Sequence, residues 1–360
     1  MKGKNYNREL NVLEAARQRI SFIFDEFKEI SVSISGGKDS TVLLALTLQE
    51  AEKRNRKIKV FFLDQEAEYQ ATIDTLRIQM KHPLIIPEWY QVPIYMTNAT
   101  SSNDYFLYAW GEGEQWMREK EPIAIKEISG DYPKRFYEFF PWIEKQNPDT
   151  AYLIGLRAEE GITRYRAVTK YPGYKGLKWS TISQAGANRF YPIFDWTWNS
   201  LWRFIYDYNL PYNKIYDLMF WSNYSVYKMR VSNLIHEKSY KCLMDLPKFE
   251  ADTYDKLCAR ISGISTAARY ASEKLVFSNK KLPTHYKNWQ QFRDFLLLNI
   301  KDEAHKEKYK SRFDKQEKNE RTYQAQVGQL LINDYENSRT FDTKKEEKTI
   351  KLKEKWMQLL

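Results

Sequence analysis

A β-branched run, Ile30-Ser31-Val32-Ser33-Ile34, stops at Ser35-Gly36-Gly37-Lys38-Asp39-Ser40-Thr41, and a helical stretch, Val42-Leu43-Leu44-Ala45-Leu46, begins directly behind it. A strand, a tight Gly-Gly turn between hydroxyls and a helix start form a cradle in which turn amides and a positive helix end converge on one point, which suits phosphate. Gly36 and Gly37 permit positive φ and let an anion approach without a Cβ in the way. Ser35, Ser40 and Thr41 offer hydroxyl donors. Asp39 is an unusual neighbour for an anion; there it would cap the helix or help hold Mg²⁺. Lys38 either reaches a phosphate or faces solvent. The loop is not a Walker A sequence, because the spacer between glycine and Gly-Lys-Ser/Thr is missing. The plain alternative is an ordinary βα turn with a Ser or Asp cap.

The surrounding pattern alternates. Apolar positions at helical spacing over residues 8–28 predict a helix ahead of the first strand. A helix to about Arg54, a strand Ile58-Lys59-Val60-Phe61-Phe62-Leu63 ending at Asp64, and a helix over Tyr69 to Met80 follow the cradle. Residues 91–96 suggest a third strand, which Pro93 weakens. Residues 97–149, with their prolines and the stretch Trp110-Gly111-Glu112-Gly113, read as an insertion or lid. The strand pattern returns at Thr150-Ala151-Tyr152-Leu153-Ile154 and ends in Gly155-Leu156-Arg157. Beyond Ile182 the chain reads as mostly helical, with breaks near Gly263 and Pro283. Alternating β and α elements predict an α/β fold, a parallel twisted sheet with helices on both faces, followed by a mostly helical C-terminal region. Such sheets bind ligands beyond the carboxyl ends of their strands. Ser35–Ser40, Asp64 and Gly155–Arg157 all lie at such ends, so one pocket is expected to collect them.

Composition narrows the classes. No apolar run approaches the length of a membrane span, and the N-terminus lacks an apolar signal region. The only cysteines, Cys242 and Cys258, form no Cys-x-x-Cys pair. A cytoplasmic protein without a disulfide framework or an iron–sulfur cluster is therefore expected, with both cysteines as buried small hydrophobes. The histidines His82, His236, His285 and His305 are scattered, against a zinc site. A net charge of +10 favours polyanionic partners, nucleotides first and nucleic acid through the basic tail second. Lysines alternate with acids beyond Lys280, a pattern that usually means a solvated helix face.

Three separated segments carry a resemblance. Ser35-Gly36-Gly37-Lys38-Asp39-Ser40 resembles the PP-loop of the adenine nucleotide α-hydrolase superfamily, which has a Rossmann-like sheet. Ile154-Gly155-Leu156-Arg157-Ala158-Glu159-Glu160, with Arg164 and Arg166, is similar to the Gly-x-Arg-x-x-Glu segment of phosphoadenylylsulfate (PAPS) reductases. Tyr191-Pro192-Ile193-Phe194-Asp195-Trp196-Thr197, with Trp202 and Leu210-Pro211-Tyr212-Asn213, is similar to a further block of the same family. The resemblance covers about residues 25–235, which implies a nucleotide domain over 1–235 and a helical, basic region over 236–360. It implies that Ser35, Gly37, Asp39 and Ser40 bind the phosphate or sulfate end of an adenylyl nucleotide, with Gly36, Thr41 and Gly155 beside them. Asp64 would lie near the adenosine, and Arg157, Arg164 and Arg166 would contact anions. Lys38, Asp39 and Arg157 would serve catalysis, Asp39 also as a Mg²⁺ ligand. A surface ion pair with Glu159 or Glu160 is the plain reading of Arg157. Asp195-Trp196-Thr197 reads as a helix start, with Thr197 or Asp195 capping and Trp196 in the core.

The departures matter too. PAPS reductases carry a C-terminal Glu-Cys-Gly-x-His motif whose thiolate attacks sulfur, and nothing here matches it. The intact loop instead resembles members that cleave ATP between its α- and β-phosphates, such as the small subunit of ATP sulfurylase. The expected ligands are thus ATP, or adenylylsulfate or PAPS, with Mg²⁺, in an adenylyl-transferring or sulfur-transferring enzyme. The stretch after Met229 resembles a subgroup that includes a co-regulator of immunoglobulin-binding proteins. That resemblance implies the rival expectation of a nucleotide-sensing co-regulator acting with a ParB-like partner or DNA.

Overall fold

The computed structural model describes residues 11–101, 104–169, 173–226, 228–236, 239–270 and 281–337. Residues 8–10 of the expected first helix and the basic tail beyond 337 lie outside them. In the described part, α1 (Val12–Glu26) is capped by Asn11, whose Oδ1 accepts from the Leu13 and Glu14 amides at 3.0 Å. It leads into β1 (Glu29–Ser33), α2 (Lys38–Lys53), β2 (Ile58–Leu63), α3 (Gln70–Gln79) and β3 (Ile85–Tyr90). Short strands β4 (Ile94–Thr97) and β5 (Phe106–Ala109) stand outside the main sheet. Then come α4 (Phe136–Gln146), β6 (Thr150–Ile154), α5 (Ile162–Thr169), β7 (Ser180–Ile182), β8 (Asn188–Phe190), α6 (Trp198–Asp207) and α7 (Ile215–Trp221).

The six-stranded sheet has the order β3-β2-β1-β6-β8-β7. All neighbours are parallel except β7 and β8. β1 is central, with Val32 opposite Val60 of β2 on one side and Leu153 of β6 on the other. Strand period sorts the side chains between two layers. Val32, Val60, Phe62 and Leu153 pack into one cluster with Ile20 and Ile23 of α1, Leu43 of α2, Leu76 of α3 and Phe204 of α6. Phe61 and Tyr152 alternate to the opposite face, where each meets Phe140 of α4, at ring separations of 5.0 and 5.5 Å. Helices therefore cover both faces, as the alternating pattern predicts.

Two strands depart in detail from the expected pattern. Of the expected strand over 91–96, residues 94–96 belong to β4 outside the main sheet, and the third sheet strand is β3 over residues 85–90. The Val92-Pro93 pair falls just beyond it, where the lost ladder donor of proline is tolerated. The chain beyond Ile182 is mostly helical as expected, but the short strand β8 comes first and lies parallel to β6. A three-residue strand is too short to show a period in the sequence.

Contacts divide the chain into two compact units. One holds residues 1–96, 108–233 and 248–253, the other 97–107, 234–247 and 254–360. Residues 97–149 are thus shared out between the two. The second unit is mostly helical, with most of α8 (Tyr240–Phe249) and α9 (Ala251–Arg260), then α10 (Ile264–Tyr270) and α11 (Trp289–Leu298) to α13 (Glu320–Leu331). Its described part has a core of Leu297, Ile300, Tyr309 and Phe313. On α12 (Glu303–Phe313), Lys306 and Lys310 pair with Glu303 and Glu307 at 2.8 and 2.7 Å, so the charge alternation there is a self-paired helix face. No described helix is long and apolar enough to cross a membrane.

The turn ahead of α6 shows why the Asp195-Trp196-Thr197 block matters to the fold. Thr197 is the N-cap, accepting the Ser200 amide at 3.1 Å, and Trp196 is buried. Asp195 does not cap. It forms a two-point ion pair with buried Arg19 of α1, at 2.8 and 2.7 Å, while Arg19 also donates to the Pro192 carbonyl at 2.7 Å. Asp195→Ala should strand the guanidinium in the core and cost about 3–5 kcal/mol, read as a lower urea midpoint in equilibrium unfolding.

Candidate functional site

From β1 the chain moves outward through β2 and β3, then returns to lay β6 against the other side of β1. Strand order reverses between β1 and β6, and a crevice forms there because the loops that leave these strands diverge. The loops nonetheless touch at their bases. A Cβ on Gly155 would lie 3.1 Å from the Asp39 carbonyl carbon and 3.2 Å from the Ser40 amide nitrogen. Glycine lets the end of β6 sit against the first turn of α2.

The cradle itself is tightly braced. Gly36 takes φ +65°, and a Cβ there would meet Thr72 Cγ2 at 2.8 Å. Gly37 is the N-cap residue of α2 with extended φ, so only the first glycine uses the left-handed region. Gly37 lacks a side chain to cap the first-turn amides of Asp39 and Ser40. The hydroxyls are spent on the loop. Ser40 Oγ donates to the Gly37 carbonyl at 3.0 Å and accepts the Ser35 amide at 3.2 Å. Thr41 Oγ1 donates to the same carbonyl at 2.9 Å and accepts from Gln79 Nε2 at 2.9 Å. Two residues from the Leu210-Pro211-Tyr212-Asn213 block support the turn from outside. Asn213 Nδ2 donates to the Gly36 carbonyl at 3.2 Å, and Tyr216 OH accepts the Lys38 amide at 3.2 Å.

The charges converge on Asp39. Its Oδ1 is bonded by Arg157 Nε, and its Oδ2 by Lys38 Nζ at 3.0 Å. Burial pushes the Asp39 carboxyl up, but the Lys38 and Arg157 charges outweigh it and hold the group below its usual value. Arg157 is buried, and burial works against its charge; the Asp39 carboxylate more than offsets this and raises its pKa. Arg157 Nη1 also donates to Glu159 Oε2 at 2.7 Å. The surface pair expected of Arg157 is thus only part of its bonding, and a deeper part goes to the cradle. Lys38 does not face solvent: it is buried, its ammonium 5.5 Å from the centre of the Tyr216 ring. Both oxygens of Asp39 being engaged by cations, the cradle makes no metal site of its own. No group of three or more His, Cys, Asp or Glu side chains converges on such a site among the described residues. A Mg²⁺ here would need phosphate oxygens arriving with it.

A cavity of about 80 Å³ opens beside these groups, lined by Lys38, Arg157, Glu159, Glu160, Trp198 and Arg230, with Val226 and Met229. Asp64 is not on its wall. Although at the end of β2, Asp64 is fully buried and its carboxylate accepts from Trp89 Nε1, Gln91 Nε2, the Glu66 amide and Arg118 Nη2 at 2.5–2.9 Å. It braces the loop after β2. Arg164 and Arg166 are exposed on α5, Arg164 paired with Glu160 at 3.1 Å. The structure therefore gathers Ser35–Thr41, Gly155 and Arg157, and leaves these three outside. Cys242 is buried as expected, whereas Cys258 is only half-buried.

Residues that pattern reading missed include Tyr216 as a loop brace, Arg230, and the acids Glu66 and Glu68 beside Asp64. Glu68 is buried, and burial, reinforced by the Asp64 charge, pushes its carboxyl from 4.5 up to about 8. Only the close Asp-x-Glu-x-Glu spacing hinted at such a cluster. Because the folded-state value is raised, Glu68 favours folding most below its unfolded value, and that contribution is lost as pH rises through about 8. Glu68→Gln cannot ionise, so its Tm should gain on the parent's between about pH 5 and pH 9, checked by thermal unfolding at several pH values. A constant gap would show that Glu68 is not the group titrating.

Residues 29–223 match the family model described as the phosphoadenosine phosphosulfate reductase domain, and residues 224–359 match one described as a domain of unknown function (DUF3440). The uncharacterized protein YbdN of Escherichia coli (strain K12) is 29% identical over 320 residues, 84% of this chain and 78% of that protein. An adenosine 5'-phosphosulfate reductase of Lysinibacillus sphaericus (strain C3-41) is 25% identical over 193 residues, 52% of this chain and 68% of the relative. A solved phosphoadenylyl-sulfate (PAPS) reductase from Candida auris, in a phosphate complex, aligns with 58% of this chain and 85% of its own at 15% identity and a TM-score of 0.35.

Proposed function

The chain belongs to the phosphoadenosine phosphosulfate reductase domain family through residues 29–223, and from that premise we propose that it binds ATP at the Ser35–Thr41 cradle and cleaves it between the α- and β-phosphates to adenylate an oxyanion acceptor such as sulfate. One observation carries this reading. Cations from two strand-end loops, Lys38 and Arg157, already converge on a single anionic group, the Asp39 carboxylate, at the N-terminus of α2. A phosphate entering there would meet the first-turn amides and the helix dipole as well.

In this mechanism an acceptor oxygen attacks the α-phosphorus, the bond to the β-bridging oxygen breaks, and the electron pair leaves with pyrophosphate. The amides of Gly36, Gly37 and Asp39 would hold the departing charge, and Arg157, released from Asp39, would steady the α-phosphate. Mg²⁺ would enter as the companion of the nucleotide, with Asp39 as a protein oxygen near it, and would neutralise phosphate charge. The chain contributes positioning and electrostatics rather than a covalent nucleophile. Cys258 supports this: burial pushes its thiol up, which disfavours the thiolate that a reductase needs.

A second reading keeps the pocket and drops the turnover. It is favoured by the closed Asp39–Arg157 pair, which satisfies both groups without a ligand. The protein would then report nucleotide binding to a ParB-like partner or to DNA. The self-paired lysines of α12 speak for the protein partner over DNA.

Incubation with ATP labelled on the α-phosphate, Mg²⁺ and sulfate tests both. The expected outcome is labelled AMP or adenylylsulfate, falling about 100-fold or more in Arg157→Ala and in Asp39→Ala. Tight ATP binding with no labelled product, with the partner present, would select the sensing reading. Sulfite released from PAPS with thioredoxin would overturn both in favour of a reductase.

A further inference from the structure

The cavity beside the cradle has an unbalanced wall. Glu159 Oε2 accepts from Arg157 Nη1 at 2.7 Å and from the Trp198 amide at 2.6 Å. Glu160 pairs with Arg164 at 3.1 Å. Lys38 and Arg157 share Asp39. Every charge on the wall is thus paired except Arg230, which lines the cavity half-buried with no ion pair or hydrogen bond among the described residues. A second donor stands idle on the same wall: the indole Nε1 of Trp198 is buried and has no partner among the described residues. A buried N–H left without an acceptor is costly, so such a group points to a missing acceptor.

We propose that this cavity seats one tetrahedral oxyanion, sulfate or a phosphoryl group, with Arg230 as its charge partner and the Trp198 indole N–H as a neutral donor. The volume of about 80 Å³ suits such a group and not a whole nucleotide, whose pocket spans about 300–1,000 Å³. A planar guanidinium presents paired N–H donors that match two oxygens of a tetrahedral anion, and an anion is preferred there because Arg230 is the unpaired charge. Val226 and Met229 close the wall with apolar surface that strengthens both bonds. The site deepens the nucleotide reading, since it lies against Lys38 and Arg157. The anion is either the free acceptor or the terminal phosphoryl group of a bound nucleotide.

The test needs no turnover, so it stands apart from the ATP-cleavage reading. Sodium sulfate and sodium phosphate are titrated separately into the full-length, nucleotide-free protein by calorimetry at constant ionic strength. A single saturable site is expected, weakened roughly tenfold to a hundredfold in Arg230→Gln and roughly twofold to tenfold in Trp198→Phe. Arg230→Lys should fall between parent and Arg230→Gln, because it keeps the charge and loses the fork. AMP affinity should not change in any of the three. Repeating the titration with ATP separates the two sources. If Arg230→Gln weakens ATP and sulfate competes with it, the seat takes the terminal phosphoryl group; if ATP is unaffected, it takes the free acceptor. Sulfate and phosphate affinity equal in the parent and Arg230→Gln, or no saturable site at all, would overturn the proposal.

Discussion

The ion pair between Asp39 and Arg157 ties together two loops that leave neighbouring strands in diverging directions. The partners are 118 residues apart in the chain and meet only because β6 returns to the flank of β1. Gly155 makes the meeting possible by letting the end of β6 rest on the first turn of α2. Lys38 joins the same carboxylate from its own turn. Arg157 also donates to the Trp196 carbonyl at 3.3 Å, which links the pair to the start of α6. The site is thus an extension of the sheet order rather than an addition to it.

Such a pair carries a tension. Buried charges lose hydration, and mutual attraction offsets that loss only where geometry and extra hydrogen bonds are good. Here the guanidinium has three acceptors and the carboxylate two cations, so the arrangement is satisfied without a ligand. On the proposed reading, a phosphate would have to compete with Asp39 for Arg157 and Lys38, and its advantage would be added charge and the uncapped amides of α2. The supporting residues keep the competition local. Asn213 and Tyr216 fix the turn, and the hydroxyls of Ser40 and Thr41 lock its carbonyl, so the loop would not have to reorganise if a ligand opened the pair.

Much of this was legible in the chain. The β-branched run, the Gly-Gly turn and the apolar helix start marked β1, the cradle and α2 to within a few residues, because each is a local signal. The ends of β2 and β6 were legible for the same reason. β3 was displaced, since Pro93 lies near two short apolar runs and period alone does not choose between them. β8 was missed because three residues carry no period. Asp64 stood at the right strand end, yet Trp89, Gln91 and Arg118 consume its carboxylate, and no spacing rule announces that.

What the sequence determined by itself is the class of fold and the place of the cradle, because hydrophobic period and turn chemistry act over a few residues. Only the tertiary structure decided what each charge does. Lys38 is buried against Tyr216 178 residues away, Arg157 faces inward to Asp39, and Arg164 faces outward to Glu160. Charge type says that a residue needs a partner; which partner it finds depends on where distant strand ends come to rest, and that is a property of the packed sheet.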